Sequence, residues 1–217
     1  CVAHGVKKIA QELGLISHKG DKWSDRVIYT LFDMQHGKRT PIGLAGRRLS
    51  DDKKYAKWMN SNANKLYQKD QYWYGLDLAR NAIAKHNEAG LVEGYNDVIA
   101  WHKNGIPNTI APCGTAIASG QVSALSKLCD KVVFCLDDDE AGQKATLKYF
   151  PKFIKAGFRV YVVNLEGLDP DDYIRDKKPT PEKMTALGYD AKHRTDGFQF
   201  YLKNKLSGDE IDDAIEA

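Results

Sequence analysis

Between Lys131 and Ala145 the chain reads KVVFCLDDDEAGQKA, and few folds accommodate residues in that order. Val132 to Leu136 is an unbroken apolar run, the pattern of a short strand covered on both faces as in a parallel sheet. Asp137, Asp138, Asp139 and Glu140 follow without interruption. Consecutive carboxylates repel, and neither a strand nor a helix interior gains from them, so they need a positive charge or open solvent. A hard cation is one resolution, since Mg²⁺ takes a few carboxylate oxygens together with water and substrate phosphate. Asp137 and Asp139, two apart on an extended backbone, then point the same way. The other resolution is a solvated turn in which Asp139 and Glu140 favour the N-terminus of the next helix.

The pattern around this stretch predicts alternating strands and helices. A short strand ends at Leu91 and Val92, a turn spans Glu93 to Asp97, and a helix covers Val98 to Lys103. Thr109 to Ala111 is the next strand, and Ser119 caps a helix running to about Cys129. A helix from about Glu140 to Ala156, kinked or broken at Pro151, leads to a strand over Phe158 to Asn164 and then to Asp169, Pro170, Asp171 and Asp172. This order implies parallel strands joined by right-handed crossovers, with ligands beyond the carboxyl ends of the strands. Three of those ends carry acids: Glu93 with Asp97, Asp137 with Asp139, and Asp169 with Asp171. Six converging carboxylates cannot all stay ionised at neutral pH without cations or raised pKa values, which points to a metal site for phosphate chemistry.

The first 90 residues differ in character. They carry 16 Lys and Arg against 9 Asp and Glu, whereas residues 91–217 carry 16 against 20, so a net charge of +3 divides into +7 and −4. That asymmetry suits a polyanion held by one part and metal-assisted chemistry done by the other. Val6, Ile9, Ala10 and Leu13 fall at helical spacing within residues 3–15, Ser17 to Ser24 reads as a loop, and Arg26 to Phe32 reads as a strand. Asp33 to Thr40 reads as a hairpin turn around Gly37, before Pro41 to Leu44. Two glycines near Arg47, then Lys57, Trp58, Asn60, Lys69, Trp73 and Tyr74, offer phosphate contacts beside stacking surfaces, although such aromatics more often pack than bind. Leu76 to Lys85 is a helix with Leu76, Ala79 and Ile83 on one face. No apolar run reaches the roughly 18 residues of a membrane span and no signal peptide opens the chain, so a cytoplasmic protein away from membranes is expected. The four scattered cysteines suit reduced core thiols, and Cys1 with His4 lacks the second ligand pair a zinc site needs.

EGYNDV (Glu93 to Val98), CGTA (Cys113 to Ala116), LDDDEAGQKA (Leu136 to Ala145) and DPDDYI (Asp169 to Ile174), in this order and spacing, resemble the TOPRIM module of bacterial DnaG-type primases. GLAGR resembles that family's GFGGR, KWMNS resembles its KYLNS, and YGL follows Lys69 as it does there. The resemblance spans about residues 26–176 and implies an enzyme that starts RNA primers de novo on single-stranded DNA from NTPs. It implies an α/β (α+β overall) fold: a TOPRIM-type parallel sheet flanked by helices, preceded by a smaller basic mixed α/β lobe and followed by terminal helices. The domains would be residues 1–90, 91–176 and 177–217.

By position, Glu93, Asp97, Asp137, Asp139, Asp169 and Asp171 would form the metal cluster, with Glu93, Asp137 and Asp139 catalytic. Arg47, Lys57, Asn60 and Lys69 would meet the nucleotide and nucleic acid. The implied cofactor is Mg²⁺ or Mn²⁺, two or more ions, with zinc not expected in this segment. The implied partners are the single-stranded template, NTPs, the RNA primer and, through a domain missing from the chain, a replicative helicase; a monomer is expected. Trp58 stands at a usual Tyr, Ala45 at a Gly, Asp138 at a Gly and Thr30 at a Pro, and none of these replaces an implied ligand. A TOPRIM nuclease and a non-catalytic nucleic-acid-binding module are the alternatives. The first would cut DNA without NTPs, and the second would tolerate loss of the acids.

Overall fold

A computed structural model describes residues 6–17, 20–52, 54–64, 66–114, 116–137, 139–168, 170–177 and 194–205. The chain divides into two units, Cys1–Tyr72 and Trp73–Ala217.

In the first unit, helix α1 (Val6–Glu12) precedes a small antiparallel pair, β1 (Ile16–Ser17) and β2 (Gly20–Asp21), within the stretch expected as a loop. α1 is shorter than its apolar spacing predicts and buries none of its residues, leaving Val6 and Ile9 56% and 55% exposed. β3 (Arg26–Gln35), β4 (Lys38–Arg48) and β5 (Trp58–Asn60) form an antiparallel sheet in that order. The β3–β4 hairpin is longer than expected, and its turn is reduced to His36 and Gly37. Both take left-handed φ values, 51° and 76°, as a two-residue connection matched to the strand twist requires. Asp33 and Met34 therefore belong to the ladder, opposite Thr40 and Arg39. Leu31, Ala45, Trp23 and Tyr67 make this unit's core. Two glycines admit the rings: a Cβ on Gly43 would stand 3.2 Å from the Tyr67 ring, and one on Gly46 3.1 Å from that of Trp23.

The second unit is built on a six-stranded sheet. In chain order its elements are β6 (Trp73–Tyr74), α2 (Leu76–His86), β7 (Glu88–Leu91), α3 (Tyr95–Lys103), β8 (Thr109–Pro112), α4 (Ser119–Leu125), β9 (Lys131–Phe134), α5 (Glu140–Lys155), β10 (Arg159–Val163), α6 (Pro170–Lys177), β11 (Arg194–Asp196) and α7 (Gly197–Lys205). The strand order is β11-β10-β9-β7-β8-β6. The four inner strands are parallel, as the alternating pattern predicts, and β6 and β11 close the edges antiparallel. β11 escapes the sequence pattern because Arg194, Thr195 and Asp196 have no apolar alternation.

The connection β7–α3–β8 runs one way along the sheet, while β8–α4–β9 and β9–α5–β10 run the other way. Right-handed crossovers therefore place α3 on one face and α4 and α5 on the opposite one. The contacts agree: α3 packs with α6, and α5 packs with α4 and α7. The fully buried core includes Leu91, Ile110, Leu125, Phe134 and Phe153, with Phe153 edge-on to Phe134 at 5.1 Å between ring centroids. Four local expectations are corrected. α3 begins at Tyr95, not Val98; Ala118, not Ser119, is the N-cap of α4, which stops at Leu125; and α5 runs unbroken through the exposed Pro151, held by its buried Tyr149, Phe150 and Phe153. Cys113, Cys129 and Cys135 are buried free thiols, as expected of a reduced core.

Candidate active site

The adjacent strands β7 and β9 send their onward connections in opposite directions, so the crevice between their carboxyl ends is the topological switch point where open α/β sheets bind ligands. Glu93 follows β7, and Asp137 and Asp139 follow β9. Paired strands align the two ends: Leu91 sits opposite Phe134, and the Cys135 N–H donates to the Leu91 carbonyl. From there the Asp137 N–H donates to Glu93 Oε1 at 3.3 Å. The Glu93 carboxyl is raised above its ordinary pKa, first by lost hydration and also by the negative charge of Asp139, while the Asp137 N–H works the other way. Thus the structure sets Glu93 against the Asp137 backbone N–H and within the field of Asp139, joining two of the three strand ends that the sequence pattern assigns to the site.

The two other described acids sit differently. Asp97 is on the first turn of α3, where its Oδ2 accepts from the Gly94 N–H at 2.8 Å. Asp171 is in the first turn of α6, a helix fixed against α3 by the Trp101 indole N–H donating to the Pro170 carbonyl at 3.3 Å. Asp169 and Asp138 lie outside the described residues. Asp139 itself caps α5, its Oδ1 accepting from the Gly142 N–H at 2.8 Å. Among the described residues no three acidic, His or Cys side chains converge on one point as a metal cage would require. The donor set nevertheless suits a hard divalent cation. Glu93, Asp137 and Asp139 are oxygen donors only, and the Glu93 carboxyl, raised first by burial and then by the charge of Asp139, is the kind of group a cation would hold ionised.

Gly142 is a residue the sequence pattern did not single out. Its missing side chain lets α5 start against the Asp137 backbone, where a Cβ would stand 2.7 Å from the carbonyl carbon. The legible signals were its place in the LDDDEAGQKA motif and a glycine in the first turn of a helix, where it weakens propensity. The loop after β8 is fixed in turn by Lys152 of α5, whose ammonium donates to the Ile117 carbonyl at 2.6 Å, and by Gln121, whose Oε1 accepts from the Ala118 N–H at 2.8 Å.

The first unit carries a separate basic face. β4 and β5 set Arg47 opposite Trp58 and Ala45 opposite Asn60, so Arg47, Trp58 and Asn60 share one side of the sheet. Arg26 fixes the segment before β5, donating to the carbonyls of Ala56 at 3.0 Å, Lys57 at 3.5 Å and Gly46 at 3.3 Å. A cavity of about 710 Å³ opens here, lined by residues that include Tyr29, Arg47, Arg48, Ser50, Asp51 and Lys57. Three cations against one carboxylate in that lining favour an anionic ligand. Lys69, the fourth basic-face candidate, is exposed in the loop after β5 and does not line the cavity.

A family model described as "DNA primase catalytic core, N-terminal domain" matches residues 3–80, and a Toprim-like model matches residues 90–174. The chain belongs with the DnaG-type primase catalytic cores. The DNA primase of Halalkalibacterium halodurans is 40% identical over 169 residues, covering 77% of this chain and 27% of that protein. The chain therefore spans about a quarter of the length of this curated relative. The crystal structure of the Aquifex aeolicus primase zinc-binding and RNA polymerase domains superposes with a TM-score of 0.80 at 30% identity, covering 96% of this chain and 53% of that one. A DnaG primase catalytic domain bound to single-stranded DNA superposes at 0.76 with 26% identity, covering 94% and 63%. The mixed α/β fold with its parallel sheet is that of these cores. Among the described residues no helix is long and apolar enough to cross a membrane.

Proposed function

We propose that the chain is the polymerising core of an enzyme that makes short RNA primers on single-stranded DNA, joining ribonucleoside triphosphates to a growing 3′ end. The observation that carries this reading is the meeting of Glu93 with Asp137 and Asp139 at the switch point of the sheet. Glu93, Asp137 and Asp139 would hold Mg²⁺ or Mn²⁺, two or more ions, with Asp97, Asp169 and Asp171 as further ligands. Bound there, such cations would supply Lewis acidity for attack of the primer 3′-hydroxyl on the α-phosphorus and charge neutralisation for the departing pyrophosphate.

The chain's own groups supply the rest. Glu93, whose Oε1 accepts from the Asp137 N–H, keeps Oε2 for a cation or for the proton of the attacking hydroxyl. Asp139 orients the start of α5 through its cap on Gly142 and so fixes the strand end carrying Asp137. Arg47, Lys57 and Asn60 line or flank the cationic cavity and would hold the triphosphate, while the exposed Lys69 would follow the nucleic-acid backbone. The relative bound to single-stranded DNA supports a template of that kind. In the whole protein, contact with a replicative helicase would fall to other segments.

The test is incubation with single-stranded DNA, labelled ribonucleotides and Mg²⁺ or Mn²⁺, beside the double variant Asp137→Ala, Asp139→Ala. Short metal-dependent RNA that vanishes in the variant is the expected result. DNA fragments formed without ribonucleotides would replace this reading with a nuclease. Continued silence with a template-reading segment supplied in trans, despite clean DNA binding, would leave a non-catalytic binding module.

A further inference from the structure

The basic face contains a side chain that neither motif nor charge singles out. Tyr29 lies on β3 opposite Ala45, on the same side of the sheet as Arg47, Trp58 and Asn60. Its residue is only 9% exposed, its ring centroid stands 5.4 Å from that of Trp58, and it lines the 710 Å³ cavity beside Arg47 and Lys57. Its hydroxyl faces the Arg47 guanidinium, close enough for the cation's charge and N–H groups to act on it. Arg47 in turn stands 6.0 Å from the ring of Trp58, directly across the strand pair. A phenyl group would supply the packing against Trp58, so the oxygen is surplus to it. The hydroxyl reaches the cavity, and the cation of the cavity is a partner for it there.

We propose that Tyr29 is a positioning residue of the nucleotide cradle, its hydroxyl holding the Arg47 guanidinium beside Trp58 and toward the cavity where the anionic part of a nucleoside triphosphate is received. The inference rests on the primase reading of this face and adds a residue to it. A free arginine side chain surrenders considerable rotamer freedom when it grips a ligand, and a guanidinium already held by one acceptor surrenders less. Four further N–H groups stay available, enough for a forked contact with phosphate oxygens. Burial, the larger influence, pushes the Tyr29 hydroxyl up from its ordinary pKa and Arg47 opposes it, so the group is a neutral phenol accepting from Arg47 at working pH.

Equilibrium titration of labelled ATP with Mg²⁺, read by anisotropy on the full chain, tests this with Tyr29→Phe, Arg47→Ala and the double variant. Urea midpoints of all three report folding. Tyr29→Phe is expected to keep the wild-type midpoint and weaken ATP about tenfold, the scale of one hydrogen bond to a charged group. In the Arg47→Ala background the same change is expected to do nothing further, because the hydroxyl then has nothing to position. A structural role would not vanish with Arg47. Wild-type affinity in Tyr29→Phe, or an undiminished penalty in the double variant, overturns the inference. If Arg47→Ala itself binds ATP as the wild type does, the nucleotide reading of this face fails. If Arg47→Ala weakens ATP and Tyr29→Phe does not, the positioning role alone fails.

Discussion

Gly142→Ala is the smallest change that should damage the acidic site without touching a carboxylate. The added methyl would stand 2.7 Å from the Asp137 carbonyl carbon, 3.0 Å from its nitrogen and closer still to its oxygen. Carbon atoms pack at about 3.5–4.0 Å, so the first turn of α5 or the strand end must retreat by roughly 1 Å. That retreat pulls the Gly142 N–H off Asp139 Oδ1, a 2.8 Å contact. Loss of the cap costs about 1 kcal/mol, and the overpacking adds about 1–3 kcal/mol. A total near ~3 kcal/mol in a chain of this size lowers the melting temperature by roughly 6–12 °C. Differential scanning fluorimetry without metal reads this term, and primer synthesis on single-stranded DNA at a temperature where both proteins are folded reads the displaced Asp137 and Asp139. The variant should melt early and, where folded, make little product. A melting temperature within about 1 °C of wild type together with full synthesis would falsify the argument that this glycine sets the spacing of the site.

Asp97→Asn should separate capping from ligation. Its side-chain oxygen can still accept from the Gly94 N–H, so the urea midpoint should hold while metal-dependent synthesis falls; equal synthesis would leave Asp97 a cap alone. Glu88, 1% exposed, pairs with Arg194 at 2.8 Å across β9 and β10, so Glu88→Ala leaves a buried cation and should cost about 3–5 kcal/mol in urea unfolding. Glu88→Leu combined with Arg194→Met should recover much of that loss, and failure to recover would mean the pair does more than satisfy itself. Burial depresses the His102 pKa, and its Nε2–H donates to the Thr109 carbonyl at 2.8 Å. A depressed pKa means the unfolded chain binds the proton more readily. The contribution of His102 is therefore complete above the ordinary value of 6.5 and lost as pH falls through the depressed one. Urea midpoints of wild type and His102→Gln at about pH 7.5 and about pH 5.5, one on each side of the ordinary value, should show the steeper acid loss in wild type; equal slopes would refute the assignment.

What could be read from the residues alone follows from how local the causes are. An apolar run ending in carboxylates announces a parallel strand with a polar tip, and Val132 to Asp139 needs nothing distant to explain it. The inner strands and the meeting of Glu93 with Asp137 and Asp139 were therefore visible. The length of the β3–β4 hairpin was not, because Asp33 to Thr40 is polar whether it turns or pairs, and only the φ values of His36 and Gly37 decide. β11 was invisible for a different reason: the contact that anchors it, Arg194 to Glu88, spans 106 residues.

Helix starts carry the deeper lesson, since the same carboxylates serve two purposes. Asp97 and Asp139 occupy capping positions at α3 and α5, each with one oxygen committed to a backbone N–H of its own helix turn. The second oxygen of each is not bound by that cap, and the cap fixes the rotamer from which it projects. A solvated capping turn and a cation site, competing explanations for this acid run, are therefore compatible. The cap holds the helix end at the switch point beside Glu93, whose carboxyl is pushed up first by burial and also by the charge of Asp139, and a divalent cation would relieve that second influence.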